Sequence, residues 1–102
     1  MTVALVTGGR DFCEIRPGAD HMGERRALGF ALDWVKPSAV MAMAGEDGPS
    51  RLARIWCERR GVEFSAEVRQ QPEIVIAFPD ASEAALRRAR ELEIDIFEVS
   101  VK

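Results

Sequence analysis

Val3-Ala4-Leu5-Val6-Thr7-Gly8-Gly9-Arg10-Asp11-Phe12 sets the reading of the whole chain. Five residues of apolar or β-branched character are too few for a stable helix and suit a strand buried on both faces. Two glycines follow at once. They let the backbone turn sharply and come close to a ligand. Arg10 then offers a planar, permanently charged fork that fits phosphate or carboxylate. A buried parallel strand that hands over to a glycine loop is how an α/β sheet presents a binding edge.

The rest of the chain alternates in the same way. The spacing predicts a helix from an Asp20 cap to about Lys36, with Leu28, Ala31, Leu32 and Val35 inward and Pro37 as its stop. Ala39–Ala44 reads as a second buried strand, and Gly45-Glu46-Asp47-Gly48-Pro49 as the loop after it. A second helix is expected from Pro49 to Arg60, with Leu52, Ala53 and Trp56 inward and Gly61 just past its end. Val62–Ser65 and Glu73–Phe78 read as short strands. Asp80-Ala81-Ser82-Glu83 resembles an acidic capping box opening a third helix to about Glu93, with Ala85, Leu86, Ala89 and Leu92 as its stripe. Ile94–Val101 completes the pattern β-α-β-α-β-β-α-β. That order predicts a single-domain, three-layer α/β sandwich with a mostly parallel sheet of four or five strands.

Composition narrows the functional classes. The chain has 102 residues and a formal net charge of −3, which argues against non-specific nucleic-acid binding. No run of 18 or more apolar residues is present, so no membrane span is expected. No basic segment, apolar stretch and cleavage site precede the first strand. A cytoplasmic location is therefore expected, with Cys13 and Cys57 as reduced thiols. His21 is the only histidine and no ligand cluster accompanies it, so no metal and no cofactor are expected.

Three motifs resemble the SLOG superfamily of Rossmann-like nucleotide-ligand proteins, and within it the YspA and cpYpsA-related domains. The first is Val6-Thr7-Gly8-Gly9-Arg10-Asp11-Phe12. The second is Gly48-Pro49-Ser50-Arg51-Leu52-Ala53 with Trp56 and Gly61-Val62. The third is Ile74-Val75-Ile76-Ala77-Phe78-Pro79. The resemblance covers nearly the whole chain and implies a site for a nucleotide or nucleotide-derived small molecule. Gly8, Gly9, Arg10 and Asp11 would form its first loop, and Gly45, Glu46, Gly48 and Ser50 its second.

The departures from that pattern are large. Relatives continue from the third motif with a glycine-rich phosphate loop, where this chain has Pro79-Asp80-Ala81-Ser82-Glu83-Ala84. Two carboxylates there repel a phosphate. The catalytic Glu of the glycosidase relatives falls on Arg87 in an ungapped alignment. No catalytic residue is therefore assigned, and a non-catalytic binding module is expected, with a nucleotide-processing hydrolase ranked last. Only Ala66–Pro72 separates Ser65 from Glu73. A parallel crossover normally needs a dozen or more residues, so one covering helix is missing. The loss predicts an under-covered sheet face, and with it a homodimer or a dedicated protein partner. It also keeps open a second role, as an interaction or self-assembly domain that has shed its ligand site. Trp34, beside rather than on the inward stripe of its helix, is a candidate for that interface.

Overall fold

The computed structural model describes residues 2–9, 21–43, 45 and 47–99. Strand β1 (Val3–Thr7) leads to helix α1 (His21–Val35), then β2 (Ala39–Ala42), α2 (Asp47–Arg60), β3 (Glu63–Ser65), β4 (Ile74–Ala77), α3 (Glu83–Glu91) and β5 (Asp95–Glu98). The strands form one five-stranded sheet in the order β3-β2-β1-β4-β5. Every neighbouring pair is parallel. This is the expected Rossmann-like architecture. β1 and β2 are buried throughout, as their continuous apolar runs require.

Handedness distributes the layers. From β1 to β2 to β3 the chain steps one way across the sheet; from β3 to β4 to β5 it steps back past β1. Right-handed crossovers therefore put α1 and α2 on one face, and the β3–β4 connection and α3 on the other. The two cores agree. Ala4, Val6, Val40 and Ile76 pack with Leu28, Leu32, Ala53 and Trp56 of α1 and α2. Val3, Leu5, Met41 and Val75 pack with Leu86 and Ala89 of α3.

The β3–β4 connection, residues 66–73, crosses the sheet without a helix. Its ends are three strand positions apart, or about 14 Å sideways. Eight residues reach about 26 Å when extended but only about 12 Å as a helix. Only the extended strap closes the connection. It does more than the sequence reading allowed. Leu5, Met41 and Val75 beneath it are all buried, so the strand residues of this face are not left bare. An open apolar groove of about 510 Å³ remains between the strap and α3, with Leu5 and Val75 on its floor and Val68 and Leu92 on its rims.

Two helix boundaries differ from expectation. α2 starts at Asp47, two residues before Pro49. At α3 the cap is Ser82, not Asp80: its hydroxyl accepts the Ala85 N–H at 3.2 Å. Asp80 instead sits at φ +62 in a turn closed by Ala81 N–H to Phe78 O. An Asp tolerates the left-handed region better than most residues, and the turn positions the serine one step before the helix.

Cys57 lies buried in the α1–α2 core as a free thiol. Burial, and secondarily the neighbouring Glu58 carboxylate, push its pKa up to about 11. The folded state thus holds the protonated form. Stability contributed by that preference is intact below pH 9 and declines as pH rises from 9.0 toward about 11. At neutral pH, Cys57 will stay unlabelled by a thiol reagent until the protein is denatured. Site-resolved mass spectrometry of native and denatured samples checks this, and labelling in the native state would contradict it.

Candidate ligand site at the sheet edge

Strand order reverses at β1. Its neighbours are β2, reached by the first crossover, and β4, reached by the strap. In open α/β sheets the loops diverge at such a point and leave a crevice at the carboxyl ends of the strands. Gly8 and Gly9 lie there, directly after β1. Because β1 and β2 are parallel and paired Val6 to Ala42, the loop after β2 leaves from the same edge. It carries Gly45, which is exposed at φ +86, a conformation that favours glycine. Gly48 and Ser50 lie in the first turn of α2, Gly48 buried and Ser50 half-buried. The structure thus brings Gly8, Gly9, Gly45, Gly48 and Ser50 to one edge. Arg10, Asp11 and Glu46 lie outside the described residues.

The first turn of α2 supplies part of a positive helix end at this edge. The corresponding end of α3 is engaged in part. Ser82 N–H donates to Thr7 Oγ1 at 3.1 Å, Ala85 N–H to Ser82 Oγ, and Ala81 N–H to Phe78 O. Gly9 N–H donates to Pro79 O at 2.8 Å. Donors that a phosphate-binding loop would offer to a ligand are here spent inside the protein. Asp80, Glu83 and Glu98 line the adjoining hollow, and their carboxylates make it acidic. The β4 side of the mouth is thus acidic, and the loop after β2 also carries Glu46 and Asp47 in its sequence.

Close packing explains Gly9. A Cβ built there falls 2.9 Å from Asp80 Cβ and 3.3 Å from Pro79 O. The third loop leans directly on the first, and only a residue without a side chain leaves room. The sequence reading places Thr7 at the end of a strand and in the first motif, without a role for its hydroxyl. It is fully buried, and its hydroxyl ties β1 to the cap of α3. A hydroxyl just before a glycine pair was the available signal.

A second polar cluster also escaped the sequence reading. Trp56 Nε1 donates to Asp33 Oδ1 at 3.0 Å, Arg60 pairs with the same oxygen at 2.8 Å, and the Arg60 guanidinium lies 4.7 Å from the Trp56 ring centroid. This cluster clamps α1 to α2. Among the described residues, no three His, Cys, Asp or Glu side chains are grouped as metal ligands would be, and no helix is long and apolar enough to cross a membrane. The chain matches no family model, no curated protein and no solved structure.

Proposed function

We propose that this chain is a non-catalytic binding module for a nucleotide-derived small molecule, held at the carboxyl edge of the sheet over β1 and β2. The observation that carries the reading is the reversal of strand order at β1, with Gly8 and Gly9 at that point and the glycine-lined start of α2 beside them. The acidic third loop argues against an anionic group beside α3, and the ligand's anionic group is assigned to the first loop, where Arg10 directly follows Gly9 in the sequence. A second role as an interaction domain is favoured by the exposed aromatics Phe30 and Trp34 on α1.

The test is a thermal-shift screen with mononucleotides, ADP-ribose and cyclic dinucleotides, on wild type beside Arg10→Ala. A true ligand at about 100 times its Kd stabilises by roughly 2.7 kcal/mol, or on the order of 10–20 °C for a domain this size. The shift is expected for wild type and largely lost in Arg10→Ala. No shift with any of these compounds, in protein shown to be folded, would overturn the reading in favour of the interaction role.

A further inference from the structure

We infer that helix α1 is the contact surface of a homodimer in which two copies pack antiparallel about a two-fold axis. The starting point is an exposed aromatic pair. Phe30 is 66% and Trp34 72% accessible, although both lie on a helix whose inward stripe of Leu28, Ala31 and Leu32 is fully buried. Most large apolar side chains are covered in a folded domain, and a pair side by side on one helix marks a contact surface. Beside the pair, Trp34 and Val35 line a mixed hollow of about 390 Å³ with the half-buried Ile74 and Phe97 and with Thr2 and the exposed carboxylates Glu73 and Asp95.

The same flank of α1 carries Gly23 and Ala27. At 3.6 residues per turn, positions 23, 27, 30 and 34 fall within one narrow stripe. Small residues occupy its first half and large ones its second. That ordering identifies the occupant. In an antiparallel pair with the axis midway between residues 28 and 29, Gly23 lies level with the second copy's Trp34, and Ala27 with the second copy's Phe30. Each large side chain then meets a small one, twice over by symmetry, as an isologous interface requires. A parallel pairing instead sets large against large and small against small.

Charge follows the same register. Arg26 is exposed and makes no ion pair among the described residues. The antiparallel arrangement brings it within about 3 Å, along the axis, of the second copy's Asp33. Asp33 is half exposed and binds Trp56 and Arg60 through Oδ1, which leaves Oδ2 to accept. Phe30 and Trp34 together offer roughly 300 Å² per copy, a substantial part of the ~800 Å² per partner of a standard interface. A Kd in the micromolar range is expected.

Light scattering and sedimentation equilibrium on the intact protein test this, with melting curves to show that each variant is folded. Wild type is expected to be dimeric at about 100 µM, well above a micromolar Kd. The double variant Phe30→Ala, Trp34→Ala should be monomeric. Ala27→Trp is the decisive variant. It enlarges the exposed apolar surface, so indiscriminate hydrophobic association would strengthen. The proposed register puts a tryptophan against Phe30 and predicts at least a tenfold weaker dimer. A monomeric wild type, or an Ala27→Trp protein that dimerises as well as wild type, would overturn the proposal.

Discussion

Replacing Trp56 with alanine will lower the melting temperature by roughly 15–25 °C, the equivalent of about 3–5 kcal/mol. The side chain is only 8% exposed and packs against the α1 face in the larger core. Its removal leaves a cavity between the two helices on that side of the sheet. It also takes one donor from Asp33 and the ring from under Arg60. Trp56→Phe separates these contributions. Most of the packing survives, while the indole N–H is lost. Asp33 retains Arg60 at 2.8 Å and faces solvent, so the phenylalanine variant should lose only about 1–2 kcal/mol. Denaturant melts of the three proteins decide the matter. If phenylalanine were as damaging as alanine, the hydrogen bond rather than the packing would hold α1 to α2.

The second large effect is at Gly9. Gly9→Ala places a methyl group 2.9 Å from Asp80 Cβ and 3.3 Å from the Pro79 carbonyl oxygen. Neither is the free end of a flexible side chain. Backbone must move, and the hydrogen bond from Gly9 N–H to Pro79 O moves with it. A loss of about 2–3 kcal/mol is expected from overpacking. Asp80→Gly should reverse much of it. That change removes the closer contact and relieves a non-glycine residue at φ +62, which by itself is worth about 1 kcal/mol. The double variant is therefore expected to be more stable than the sum of the single effects, by roughly 1–2 kcal/mol in a double-mutant cycle. Strict additivity would mean that the first and third loops do not press on each other.

Elements with continuous apolar runs were legible in the sequence, although β2 stops at Ala42 where a strand to Ala44 was expected. Val3–Thr7 is a strand at the bounds expected, and Pro37 does end α1. Such runs are legible because burial on both faces restricts composition at every position. The three-residue β3 and the strap after it were legible only as a shortage of chain. Length excluded a helix, but the burial that an extended segment achieves depends on side chains distant in sequence. The Asp80 cap was misread for a related reason. Asp-x-x-Glu and a turn followed by Ser82 share the same letters, and the choice was made by the Phe78–Ala81 turn, which depends on Thr7 and Gly9 packing from another strand. At the carboxyl edge of the sheet, glycines marked the loops well. They could not reveal that Gly9 serves packing against Asp80, since close approach by a ligand and by a neighbouring loop demand the same residue.

The central position of β1 has a consequence for a chain emerging from the ribosome. β1 is made first, yet one of its two edges is closed only when Ile74–Ala77 arrives, after the strap has crossed the sheet. Until β4 emerges, β1 can already pair with β2 and β2 with β3, while the other side of Val3–Thr7 shows unpaired N–H and C=O groups flanked by mostly apolar side chains. An edge of that kind recruits strands from other molecules. The interval before β4 emerges, at about 5–20 residues per second, is thus a window in which this edge is open to pairing. Its brevity rests on the shortness of the strap: a full covering helix in its place would have prolonged the exposure.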